Sequence, residues 1–238
     1  MIRNFKSLVG IALVCAIALY AETIAAQIQE TQRTTGASAK AITYNPPKRS
    51  APAGRVGGST RGTAKSDLVV EVLAPDHVGL SAVDQPVLYW YLSRPVTAAL
   101  EITIDTVELS AAGPLLEKTL DKPWPAGISA LSMRDMGVRL KPGVTYRWSA
   151  AVITDPAHRS VDVVASGLIQ YVRPATGLPR ADDEARIYAE SGYWYDAVNA
   201  LSRGIERRPD RRRERADLLE QVGLAAPAAF DRATGPAS

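Results

Sequence analysis

Apolar side chains run without interruption from Leu8 to Ala21, thin out from Gln27 to Ser66, return from Asp67 in short clusters, and take a helical spacing after Pro174. Each texture predicts a different kind of segment. The first run follows Arg3 and Lys6 and is 14 residues long. That length suits the core of a secretory signal and falls short of the roughly 20 residues a helix needs to span a bilayer. Residues 1–26 are therefore expected to be a signal peptide. Small residues at Ala21, Thr23, Ala25 and Ala26 place cleavage between Ala21 and Gln27.

The clusters from Asp67 to Ala175 have the lengths and turn signals of an all-β domain. Leu68 to Leu73 predicts a first strand. In Pro86 to Leu92, Leu88, Trp90 and Leu92 alternate with Val87, Tyr89 and Tyr91, so both faces are apolar and the strand is expected to be central. Leu100, Ile102 and Ile104 alternate with Glu101, Thr103 and Asp105, the pattern of a strand with one wet face. Further strands are expected over Leu115–Leu120, Ile128–Leu131, Gly137–Leu140, Tyr146–Thr154 and Val161–Val172. Turn residues at Ala74-Pro75, Ala112-Gly113-Pro114, Trp124 to Gly127 and Pro142-Gly143 space them as an immunoglobulin or fibronectin III-like β-sandwich requires. Within Leu140 to Trp148, Tyr146 stands where such sandwiches place a tyrosine corner, with Trp148 directed into the core beside Trp90. An ordinary hairpin with a tyrosine in it is the alternative.

Beyond Pro174, Ala181–Glu190 and Tyr195–Arg207 read as two helices joined at Ser191-Gly192, and a third runs from Arg211 to Val222. The second resembles the latter half of a tetratricopeptide repeat: Gly192, Trp194, Ala197, Leu201, Gly204 and Pro209 match its turn glycine, packing aromatic, small residues and closing proline. With no second copy visible, residues 179–224 form an expected helical appendage rather than a solenoid groove. Residues 225–238 are expected to be a disordered tail.

Charge is distributed unevenly. Residues 27–66 hold seven bases against Glu30, a net of +6, while Asp67–Gly177 carries −3 and residues 178–238 carry −1. Rich in Ser, Thr, Gly, Ala and Pro and without period, residues 27–66 are expected to be a disordered basic linker. The sole cysteine, Cys15, lies in the signal segment, so a cleaved chain has no thiol for disulfides, zinc or catalysis.

Candidate chemistry is sparse. His77 beside Asp76, and His158 with Asp155 and Ser160, are the conceivable hydrolytic groupings, and turn positions next to Pro75 and Pro156 explain them equally. Without a nucleophile elbow, a metal-spaced histidine pair or a phosphate loop, no enzyme, cofactor or metal is expected. Trp124, between Lys122-Pro123 and Pro125, is a candidate exposed indole for stacking on a sugar or a partner. Tyr193 is a second candidate contact, and Gly192 and Trp194 beside it are read as structural. Arg208 and Arg212 stand out in the arginine run 207–215, although Glu206, Asp210, Glu214 and Asp217 offset its charge and export argues against nucleic acid.

Five pieces in order, Gly54 to Gly62 (GRVGGSTRG), the Pro86 to Leu92 strand, Tyr146-Arg147-Trp148, Ser166 to Ile169 and Gly192 to Ala197, resemble the family catalogued as domain of unknown function 928, exported proteins common in cyanobacteria. The resemblance covers roughly residues 54–223. Ser59 stands where that family usually has a further glycine. The resemblance implies export and architecture and brings no catalytic residue. The expected role is an exported, non-enzymatic interaction module of the cell envelope, periplasmic or extracellular, that engages another envelope protein. The alternative is a carbohydrate or cell-wall binding domain.

Overall fold

A computed structural model describes residues 41–47, 54–57, 68–108, 113–175, 177 and 183–235. The expected signal peptide and most of the expected linker lie outside these residues. The described chain forms strands β1 (Val70–Val72), β2 (Gly79–Ser81), β3 (Val87–Leu92), β4 (Leu100–Thr106), β5 (Leu116–Leu120), β6 (Gly127–Ser132), β7 (Thr145–Val152) and β8 (Val163–Tyr171). Helices α1 (Glu184–Glu190), α2 (Trp194–Ser202), α3 (Arg211–Glu220) and α4 (Ala225–Thr234) follow. The protein is thus mainly β, with two sheets followed by helices.

One sheet has the order β1-β3-β6 and the other β2-β8-β7-β4-β5. All pairings are antiparallel except β2 with β8, where Gly79 opposes Ile169. The alternation in β3 explains its central place. Leu88, Trp90 and Leu92 are wholly buried, while Tyr89 and Tyr91 on the opposite face are covered by helices. There Tyr89 Oη donates to Asn199 Oδ1 at 3.0 Å, and the Tyr91 ring lies 5.8 Å from that of Phe230. In β4, Leu100, Ile102 and Ile104 are buried and the alternate residues more open, as the sequence predicts. Tyr146, the second residue of β7, is buried, and its hydroxyl accepts the Lys141 backbone N–H at 3.2 Å. Trp148 is buried too, whereas the ring packed on Trp90 is that of Trp124.

Three expectations are corrected, and one strand, β2, is an addition to them. Gly137–Leu140 is a turn and its exit, because the Val138 N–H bonds back to Met133 O and the Leu140 N–H reaches Asp84 O instead of a neighbouring strand. Strand β2, with three residues and a glycine, is too short to show a period of two. The described parts of the linker region are packed: Ile42 and Tyr44 are buried, and Val56 exchanges both backbone hydrogen bonds with Ser166 on β8. The expected tail is α4. Its Asp231 receives a bidentate pair from Arg215, Nε to Oδ2 at 2.6 Å and Nη2 to Oδ1 at 2.7 Å, and both residues are buried. A buried carboxylate and guanidinium in that geometry satisfy each other, which is why an Ala-rich stretch of low apparent content is held on α3.

From Ile42 onward the described residues form one compact unit. The helices join the sheets through the first turn of α2. Trp194 Nε1 donates to Leu73 O at 2.8 Å, Tyr195 Oη donates to Leu168 O at 2.9 Å and accepts from Trp148 Nε1 at 2.9 Å, and Asp196 Oδ2 accepts the Ala82 N–H at 2.7 Å. Gly79 makes room for this docking, since a Cβ there would lie 2.7 Å from Tyr195 Cε2. Burial, opposed in part by the Ala82 N–H, pushes the Asp196 carboxyl up to about 7.

Replacing Tyr195 with Phe is expected to cost about 1–3 kcal/mol, because the buried Trp148 indole N–H and the Leu168 carbonyl both lose their partner. Chemical denaturation of the variant against wild type checks this. Asp196 sets a pH dependence. Its raised value means the folded state keeps a proton that the unfolded chain releases, so this contribution is complete in acid and is lost as pH rises through about 7. Melting temperatures measured from about pH 5 to about pH 8 should fall, and Asp196→Asn, which keeps an acceptor for Ala82, should flatten that slope.

Candidate functional site

The described surface has a cleft of about 470 Å³ lined by Tyr44, Pro46, Arg55, Asp76, His77, Gln221, Val222 and Gly223. It is built where an extended segment, Ile42–Pro47, crosses the helical end of the molecule. Within this strap Ile42 and Tyr44 are buried while Ala41, Thr43 and Asn45 face outward, the alternation of a strand lying on a surface. The Gln221 side chain reads its backbone twice, accepting the Tyr44 N–H at 2.8 Å and donating to Ile42 O at 3.0 Å. The end of α1 holds the next residue: the Asn45 N–H donates to Ala189 O and Asn45 Nδ2 to Glu190 O, both at 3.0 Å. Gly192, in the left-handed region at φ 83°, lets Asn45 O approach to where a Cβ would stand only 3.0 Å away.

Inside the cleft the side chains form a line. Asp76 Oδ1 lies 3.0 Å from His77 Nδ1, and His77 Nε2 lies 2.9 Å from Tyr44 Oη. With the Nδ1 proton directed at the carboxylate, Nε2 accepts from the phenol. The Tyr44 ring also meets Trp194 edge to face, with centroids 5.0 Å apart, which joins the strap to the seat of α2. Burial first, and then the Asp76 charge, raise the Tyr44 hydroxyl well above the ordinary phenol range. The hydroxyl is therefore held protonated as a hydrogen-bond donor. Arg55 closes the other wall, donating from Nη1 to Ala74 O at 3.1 Å and to Val222 O at 3.0 Å, and it caps the carbonyl end of α3. Asp76 at the rim is open, with three quarters (75%) of its side chain exposed.

The residues singled out in the sequence lie elsewhere. Trp124 is not an exposed stacking residue. It is 6% exposed, its ring centroid is 5.1 Å from that of Trp90, and Lys122 Nζ sits over the ring 4.1 Å from its centroid. Its backbone pairs with Val96 in both directions, which turns the Pro-flanked loop inward. Tyr193 is half-buried against Tyr188, centroids 6.4 Å apart. Arg208 is exposed and paired with Asp210 at 3.0 Å, and Arg212 lies 3.7 Å from the buried Asp231. Trp90, Trp148 and Trp194 are wholly buried. His158 bonds Asp155 at 2.7 Å on an open turn with 72% of its side chain exposed, and no hydrogen bond links it to Ser160 among the described residues. Also among the described residues, no three His, Cys, Asp or Glu side chains converge as a metal site, and no helix is long and apolar enough to cross a membrane.

Sequence reasoning found His77 with Asp76 and missed Tyr44, Arg55 and Gln221. The available signal was the pair Ile42 and Tyr44 before Asn45-Pro46-Pro47, two alternating positions where a strand assignment needs about four.

No curated protein matches the chain. A family model described as Domain of Unknown Function (DUF928) matches residues 56–230. The matched span opens at the Val56 bridge to β8 and closes at Phe230 within α4, so it takes in both sheets, α1 to α3 and the first part of α4. Since the match covers most of its length, this protein belongs to the domain of unknown function 928 family.

Proposed function

We propose that the protein is an exported, non-enzymatic interaction module of the cell envelope, built on an immunoglobulin or fibronectin III-like sandwich, that presents the strap-side cleft to another envelope protein. The observation carrying this reading is the cleft of about 470 Å³ with its open Asp76 rim, set among side chains whose other polar atoms serve internal bonds. Support for the sandwich comes from the strand order, three strands against five with β2 parallel beside β8, and from the Tyr146 hydroxyl bonded to upstream backbone. Export is supported by the charged start and 14-residue apolar run of residues 1–26. A non-enzymatic role is supported by the chemistry of the line Asp76, His77, Tyr44, where, among the described residues, the hydroxyl that bonds the imidazole is kept from ionising by burial.

Cross-linking in the native envelope followed by purification should recover one recurrent protein with the wild-type chain. Asp76→Arg, which reverses the charge of an exposed rim residue, should lose that protein while keeping the wild-type melting temperature. Recovery of the same protein by both chains, or of none by either, overturns the reading.

A further inference from the structure

The cleft beside the strap presents acceptors to its mouth. Asp76 Oδ1 is held by His77 Nδ1, and among the described residues no hydrogen bond reaches Asp76 Oδ2, on a side chain that is 75% exposed. Tyr44 gives its proton to His77 and keeps acceptor capacity on Oη. The far wall is the carbonyl end of α3, where a helix carries partial negative charge. Arg55, the cleft's own cation, is already engaged, with Nη1 donating to Ala74 O and Val222 O and Nη2 to Gly223 O. Its charge also acts on Glu71, where burial raises the carboxyl and Arg55 opposes that rise. The imidazole that touches Asp76 is neutral while it accepts from Tyr44. The Asp76 carboxylate is thus left at the mouth without a cation of the cleft set against it. Apolar surface completes the lining, from Pro46 on the strap and Val222 after α3.

We propose that this cleft takes a basic side chain, arginine or lysine, presented by the envelope partner. The inference rests on the reading of the cleft as a partner site and names the chemistry recognised there. Such a side chain has a hydrocarbon stem and a cationic head that only donates, which matches acceptors at the mouth above apolar walls. The head meets Asp76 Oδ2 and the stem lies along Pro46 and Val222. Because the strap supplies Tyr44 and Pro46, the site is complete only with the strap in place.

The test uses His77 as the reporter. The chain has two histidines, and His158, on its open turn and outside the cleft lining, is an internal reference. The imidazole proton resonances of the full chain are followed by NMR, at fixed pH and ionic strength, as N-acetyl-arginine amide, N-acetyl-lysine amide or N-acetyl-citrulline amide is added. Citrulline has the shape of arginine without its charge. The His77 signals should shift with arginine, lysine or both while those of His158 stay. Citrulline should need at least about fivefold more ligand for the same shift, the size of one partly exposed ion pair. Asp76→Asn, which keeps the shape of the rim and removes its charge, should weaken the response to the cations by a similar factor. If thermal melting shows that variant unfolded, the comparison of arginine with citrulline on the wild-type chain decides alone. Equal responses to the cations and to citrulline, or no His77 response to either cation, overturn the proposal. In the native-envelope cross-linking, a partner kept by Asp76→Asn and lost by Asp76→Arg preserves the partner site and overturns the basic side chain. A His77 response to the cations with no protein recovered does the reverse, preserving the cation site and overturning the envelope partner.

Discussion

The helices stay on the sheets because three consecutive side chains of α2 each carry a polar tip that a backbone group or another side chain completes. Trp194 meets Leu73 O, Tyr195 meets Leu168 O and Trp148 Nε1, and Asp196 meets the Ala82 N–H. The partners come from just past the ends of β1 and β2 and from within β7 and β8, so a single helical turn ties together strands of both sheets. Apolar residues there would bury comparable area, yet they would orphan a buried carbonyl or N–H at each contact, a penalty of about 1–3 kcal/mol apiece. The Trp-Tyr-Asp element is in this sense a structural joint. Its geometry fixes which way α1 and α3 run, and hence where the groove lies.

The strap depends on that joint in turn. Tyr44 rests edge to face on Trp194, and Asn45 is held by the end of α1 next to the Gly192 turn that precedes Trp194. Arg55 ties the same neighbourhood to the far end of α3 through Val222 O and to the sheet side through Ala74 O. α4 is held by its own buried pair, Arg215 with Asp231, and by Phe230 against Tyr91. Phe230 thereby covers Tyr91 on the outer face of the small sheet, while the ion pair ties α4 to α3. Because a buried pair of this kind roughly offsets its own desolvation, its main contribution is to fix the position of α4.

What was legible in the sequence was whatever repeats. The period of two in β3 and β4 and the helical spacing of α1 to α3 were visible because a buried face needs many equivalent positions. Features made by single contacts were not. β2 is three residues pinned beside β8, the strap is two buried side chains read by Gln221 from 177 positions away, and α4 owes its place to one carboxylate. Trp124 failed as a binding residue for a related reason. Its proline-flanked neighbourhood signals a turn correctly, but the direction of the indole is set by the two hydrogen bonds with Val96 and by Trp90, both distant in sequence.

The distribution of chemistry over the molecule follows from these constraints. A chain with a single cysteine forms no internal disulfide and must hold its parts by packing and by internal hydrogen bonds, and here the reactive-looking side chains are drawn into that task. Tyr195, Asp196, Arg215 and Asp231 are buried and bonded, and even the Asp76, His77 and Tyr44 line uses its hydroxyl to seat the strap. The buried members of this set are each fixed in one orientation by their partners. The groove beside α1 and α3 is the place where that ordering reaches the surface, and there it holds the extended strap through its backbone hydrogen bonds.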